Sequence, residues 1–391
     1  MSHAATRPPL RFDRGELAGA FGDLGTDLPL LVGMVLAAGL DATTVFLVFG
    51  GLQVASGVWY RLPMPVQPLK AMAALVIAGQ ATSPMLAAAG ILVGLVMLAL
   101  AQTGGLDWIA RVVPRVVVRG IQLGLGLSLA RIAVTRFMGS EGARGWLLSF
   151  VALALVLGLR GNRRVPAALV LVTLGVALAA ATWPADLAVP LGWHLPSLPG
   201  RWPTGDEFVQ GALLLAVPQL ALSLGNSVLA TRQVVRDFFP ERTAPSIRAI
   251  GTTYALMNLV AAPLGGTPVC HGSGGMAGHY AFGGRSGGSV VYYGLLHVLA
   301  GLFLASDPRA FQQLFPAPVL GVLLLVEATT LGLLVRDQWA DRRAFGLAVA
   351  CGLTAIAAPY GYAVVLVLGP LAWRLIAGTD PARAPRVAGA P

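Results

Sequence analysis

The length of its apolar runs most constrains how this chain can fold. Leu86–Ala101, Val165–Ala181, Phe208–Leu229 and Ala344–Ala358 contain no charged residue. A helix needs about 20 predominantly apolar residues to cross a bilayer, and runs approaching that length recur throughout the 391 residues. Charged residues make up only 11% of the chain, against roughly 25% in a soluble domain. In lipid, backbone polar groups must be satisfied internally, which leaves helices or closed barrels. Continuous apolar runs select helices, since barrel strands alternate in short segments. The expectation is an all-α integral membrane protein.

Fourteen spans are expected, seven in each half of the chain. The division is a cytoplasmic tail over 1–16, a first seven-span repeat over 17–182 and an external linker over 183–207. A second seven-span repeat covers 208–377, and a short cytoplasmic tail covers 378–391, with no regulatory domain. No signal peptide is expected, because the first 16 residues carry Arg7, Arg11 and Arg14 and no apolar core. Arg131, Arg136, Arg144, Arg201 and Arg309 fall in loops assigned outside, and the other 21 Arg fall inside. That asymmetry places both termini in the cytoplasm. The basic excess therefore reports topology and gives no reason to expect a nucleic-acid partner. Met64–Pro68 (MPVQP) echoes Thr267–His271 (TPVCH), and each follows a span with one amide, Gln53 or Asn258. Seven spans per half put the second half in the opposite orientation, which is the pattern of an inverted-repeat transporter.

Those two segments interrupt spans 3 and 10. Pro63, Pro65 and Pro68 forbid a regular helix, each lacking an N–H donor and restricting its predecessor. Pro68 suits the first position of a helix, so a half-helix is expected from there through Leu69, Lys70 and Ala71. In the second half, Cys270, His271 and Gly272 lead to Ser273 as N-cap, with Gly274 and Gly275 following. Broken backbone at membrane depth is tolerated where it lines a cavity. Two helix N-termini aimed at one another form an anion site without formal charge. Lys70, the only Lys in the chain, adds a full charge there. It reads as an anion ligand or gate charge, with an ion pair to Asp23 or Asp27 as the structural alternative. Gln67, Gln219 and Asn226 are the side-chain candidates for contacting the anion.

Asp23, Thr26, Asp27, Gln53, Asn258 and Glu327 complete the intramembrane polar set. Asp23 and Asp27 share a face if their segment is helical. Like charges so close disfavour double ionisation, which suits a proton carrier; an N-cap role for Asp23 is the alternative. Glu327 is a lone acid in an apolar span, a functional candidate or a helix contact. No metal is expected at Cys270 and His271, since no other Cys or His stands at ligand spacing, and no cofactor is implied. The two cysteines, Cys270 and Cys351, lie in apolar segments and suggest no disulfide.

The segments FGDLGTDLPL, PMPVQPLKAMAA, PQLALSLGNSVLAT and LMNLVAAPLGGTPVCHGSGGMAGHYAFGGRSG together resemble the molybdate transporter family of sulfate-transporter-like proteins. The resemblance runs from Phe21 to the last span. It implies the fold of sulfate and nucleobase transporters, with spans 1–4 and 8–11 as a core and 5–7 and 12–14 as a gate. The substrate then sits between half-helices 3 and 10 and rides with the core in an elevator-like motion. Nucleobase carriers of this fold use carboxylates in spans 8 and 10; here neither span has an acid, which favours an anion. The resemblance also decides for molybdate over sulfate.

An intramembrane enzyme is not expected, since no His-Glu-x-x-His or Walker motif is present. The reading is a secondary active transporter in the cell membrane; a sulfate or other anion carrier, or an anion channel, is the alternative. Its partners are the oxyanion and the bilayer, with a homodimer left open. Inward movement of a dianion against a negative-inside potential calls for co-transported cations. No sodium-site spacing is evident, so proton coupling is expected, with Asp23 as the preferred carrier ahead of Asp27 and Glu327.

Overall fold

The computed structural model describes residues 9–159, 162, 167–184, 186, 192–304 and 313–377, without the side chains of 107, 109–111, 221 and 224–226. The tails at 1–8 and 378–391 lie outside the described residues.

Helices dominate. In the first half these are α1 (Arg14–Gly19), α2 (Leu24–Ala38), α3 (Ala42–Tyr60), α4 (Lys70–Ile77) and α5 (Ser83–Thr103). They continue with α6 (Gly105–Val112), α7 (Arg115–Ile132), α8 (Gly142–Gly158) and α9 (Ala167–Ala181). The second half opens with a helical run from α10 (Gly205–Gly211) through α11 (Val217–Ser223) to α12 (Ala230–Phe238), with π-helical turns at Ala212–Ala216 and Leu224–Leu229. Then follow α13 (Ile247–Ala261), α14 (Ser273–Ala281), α15 (Gly288–Leu304), α16 (Ala317–Leu333), α17 (Arg342–Ala357) and α18 (Gly361–Ala377). Ala42–Tyr60, Ser83–Thr103, Arg115–Met138 and Ala317–Gln338 are long and apolar enough to cross a membrane.

Local chemistry sets the helix starts. Asp41 caps α3 by accepting from the Thr44 N–H, and Ser246 caps α13 by accepting from the Ala249 N–H. Thr204 and Glu207 form a reciprocal capping box on α10. Glu207 also pairs with Arg201; this holds its carboxyl down at about 2.

The two halves interleave. α3 packs on α15, and α5 packs on α13. Their backbones come close: a Cβ on Gly50 would lie 2.6 Å from the Gly294 carbonyl oxygen, and one on Gly57 2.5 Å from that of Gly287. Small residues permit such approach where lipid supplies no hydrophobic drive between helices. A second group forms where α7 packs on α16 and α17, and α8 packs on α9 and α16.

Between the groups, β1 (Val66–Pro68) pairs antiparallel with β2 (Val269–His271), with Val66 opposite His271 and Pro68 opposite Val269. Each strand leads into a short helix, α4 or α14. Two details of the helix starts differ from expectation. Pro68 stays in the strand, and α4 begins at Lys70 with Leu69 as N-cap. Ser273 is the first residue of α14; Gly272 is the N-cap, and no side chain caps that end. At α4, strand pairing extends the chain further than local propensity suggests: the Leu69 N–H donates to the Pro268 carbonyl, one step beyond β1; at α14 the helix instead starts one residue earlier than expected.

Candidate functional site

Two amides fix the strands. Gln53 on α3 donates through Nε2 to the Val66 carbonyl (2.6 Å) and accepts the Val66 N–H through Oε1 (2.9 Å). Asn258 on α13 does the same for Val269, at 2.6 and 2.9 Å. The side chains of Gln53 and Asn258 are fully buried. Their polar groups are spent on holding backbone.

The strands and short helices border a cavity of about 280 Å³, near the lower end of the size range for small-molecule sites. Gln67, Lys70, Gln219, Cys270, Gly272, Ser273, Gly274 and Glu327 line it. These are expected site residues from opposite halves of the chain. The cavity receives the N-terminal ends of both α4 and α14, where the first N–H groups have no intrahelical acceptor and the helix dipole is positive. One of those groups is already used: the Ala71 N–H donates to Gln219 Oε1 at 3.0 Å. Gln219 in turn donates to Ser223, which shares a hydrogen bond with the Tyr254 hydroxyl.

Lys70 Nζ pairs with Glu327 Oε1 at 2.5 Å. The alternative partners Asp23 and Asp27 are bonded elsewhere. Asp23 Oδ1 accepts from Gln67 Nε2 at 2.6 Å, and Asp27 accepts from the Tyr293 hydroxyl at 3.4 Å. Asp23 occupies the N-cap position of α2, but its side chain makes no capping bond. Thr26 donates to Glu327 Oε2 at 3.4 Å. Gly272 and Gly275 serve this network by lacking a Cβ, which would overlap the Gln67 side chain at one and the Asp23 carboxylate at the other.

His271 departs from the expected set. Neighbours on a strand point to opposite faces, so with Cys270 at the cavity His271 faces away. It shares a hydrogen bond with Thr253 (2.8 Å) and stacks edge-on with Tyr60. Pro68, Leu69, Ala71 and Gly275 are not among the residues that line this cavity. The side chain of Asn226 lies outside the described residues.

Sequence reasoning missed Arg119, Ser227 and Thr330, which also line the cavity. Arg119 is held by Asp337 (Nε to Oδ2, 2.7 Å) and by Gln122 (2.8 Å). Its spacing of four from Arg115, which also pairs with Asp337, was the available signal. A larger cavity of about 850 Å³ lies beyond the other end of α7, lined by Arg136, Arg144, Ser140 and Gln313 among others. Arg119 and Arg136 are about 25 Å apart along the helix at roughly 1.5 Å per residue.

The sequence profile described as "Molybdate transporter of MFS superfamily" matches residues 15–129 and 211–331. The chain belongs to the molybdate transporter family. Molybdate transporter 1 of Arabidopsis thaliana is 36% identical over 83% of this chain and 80% of its own length. Molybdate transporter 2 of the same plant is 31% identical, over 90% of this chain and 86% of its own. Molybdate transporter 1 of Chlamydomonas reinhardtii is 29% identical, over 87% and 88%. Among solved structures, the transmembrane domain of a cyanobacterial bicarbonate transporter superposes with a TM-score of 0.64 at 17% identity, covering 94% of this chain and 98% of that one. Murine solute carrier 26 family member A9 gives 0.68 at 13% identity, covering 95% and 70%. At these identities the likeness is one of fold. Family membership and the apolar helices make the chain a multi-pass membrane protein.

Proposed function

We propose that this chain is a secondary active transporter of a tetrahedral oxyanion, molybdate foremost, in the cell membrane. The observation that carries the reading is the 280 Å³ cavity where two helix N-termini from opposite halves meet Lys70. Oriented N–H dipoles and one cation are the chemistry that recognises an anion. Relatives named molybdate transporters favour molybdate as the oxyanion. In this reading the chain has fourteen spans, with spans 3 and 10 broken at β1–α4 and β2–α14 and both termini in the cytoplasm. Helices α2–α5 and α10–α15 form the moving core, while α7–α9 and α16–α18 form the gate. The two cavities at opposite ends of α7 support alternating access: the small one is the substrate site and the large one the approach from the other side. The bound anion is contacted by Lys70, Gln67, Ser273 and the N–H groups of Ser273 and Gly274. Inward transport is proton-coupled, through Asp23, Asp27 or Glu327.

Calorimetry on the purified protein with molybdate, tungstate, sulfate and bicarbonate tests this. Saturable molybdate binding, tighter than that of bicarbonate, is expected. Absence of binding to every tetrahedral oxyanion overturns the reading. Preference for sulfate changes the substrate and keeps the class. Unitary currents in a bilayer recording would replace the carrier with a channel.

A further inference from the structure

We propose that Glu327 and the transported oxyanion compete for Lys70, and that Glu327 takes up one proton when the oxyanion wins. The inference rests on the oxyanion reading above and names the residue through which binding is coupled to protons and to movement.

Glu327 lies on α16, in the group packed around α7, and is 5% exposed. Both its oxygens are spent on other helices: Oε1 on Lys70 of α4, Oε2 on Thr26 of α2. The carboxylate thus ties α16, which the reading above places in the gate, to α2 and α4, which it places in the core, at the cavity wall. Lys70 and Glu327 line the same small cavity. A dianion that reaches Lys70 there comes to rest beside Glu327, and two like charges in a confined site disfavour joint ionisation.

The other charged groups around Glu327 offer it no replacement cation. From α2, Asp23 and Asp27 act on the same electrostatic field and are acids themselves. From α7, Arg119 is committed to Asp337 and Gln122. From β2, Cys270 brings a thiol. When Lys70 turns to the oxyanion, Glu327 is left without its cation, and a proton from solvent converts the carboxylate to the neutral acid. The oxyanion keeps both charges, so the loaded site carries one negative charge fewer than it otherwise would. Loss of the ion pair also removes this tie between the proposed gate and core, so the step that loads the site favours movement of the core.

The test is calorimetric titration of the full chain in lipid nanodiscs with molybdate from pH 6 to pH 8.5, in two buffers of different ionisation heat. For the wild type, uptake of about one proton per molybdate is expected, with affinity falling about tenfold per pH unit where Glu327 is ionised beforehand, as linkage requires. Glu327→Gln should bind with an affinity that does not depend on pH and with no proton uptake. A wild-type proton count near zero overturns the proposal and needs no variant to show it. A pH slope that survives in Glu327→Gln also overturns it, since the proton then goes to Asp23, Asp27 or Lys70. A wild-type protein that binds no molybdate, tungstate or sulfate at any pH refutes the oxyanion reading instead.

Discussion

Replacing Asn258 by Leu tests whether buried amides hold the broken segments in place. Asn258 is fully buried and nearly matched in shape by Leu. It accepts the Val269 N–H at 2.9 Å and donates to the Val269 carbonyl at 2.6 Å. The substitution leaves one buried donor and one buried acceptor orphaned. Each unsatisfied buried group costs about 1–3 kcal/mol, so the loss is about 2–6 kcal/mol. Gln53→Leu orphans the matching pair on Val66 and should cost the same. Because β1 and β2 pair with one another, the two variants act on one element, and their double variant should depart from additivity as contacting sites do. Denaturant unfolding of the purified protein in nanodiscs measures the stability, and molybdate calorimetry on the same samples reports the cavity. Affinity should fall with stability, because the strand positions the start of α14. A variant within about 0.5 kcal/mol of wild type, the range of ordinary surface substitutions, would refute the reasoning.

Lys70→Ala should weaken molybdate binding at least tenfold, about 1.4 kcal/mol, with the protein still folded; unchanged affinity by calorimetry removes Lys70 from the site. Gly272→Ala places a Cβ on the Gln67 side chain and should abolish binding, whereas Gly274→Ala meets nothing within 4 Å and should leave the melting temperature unchanged. Glu207, held near pH 2 first by its hydrogen bond to Arg201, should titrate there by NMR. Its depressed folded value means its contribution is present above the ordinary carboxylate range and lost as pH falls through about 2, and Arg201→Ala should move the midpoint upward.

The extended segments before α4 and α14 were legible because their cause is local. Three prolines before Lys70 and three glycines around Ser273 act on their own backbone, so the interruptions can be read from a few neighbouring residues. The start of α4 was shifted by two positions, because the β1–β2 pairing, formed across about 200 residues, prolongs the extended chain past the point set by Pro68, while α14 starts one residue before the point set by Ser273 as a cap. The equivalence of Gln53 and Asn258 was visible as an echo, but their task was not: an amide facing backbone and an amide facing a ligand look the same in a sequence. His271 was lost to parity, since a strand of three residues decides which neighbour faces the cavity and nothing local decides where the strand begins. The Lys70–Glu327 pair was the hardest to read. Asp23 and Asp27 lie closer along the chain, but interleaving of the halves brings Glu327 within 2.5 Å and turns Asp23 to Gln67. Arg119 was hidden by its company: an arginine near the end of a span counts towards topology until Asp337 is seen holding it at the cavity wall. In a helical membrane protein, short-range chemistry therefore shows where the chain is extended rather than helical, while the partners of a buried charge follow from the order in which the helices pack.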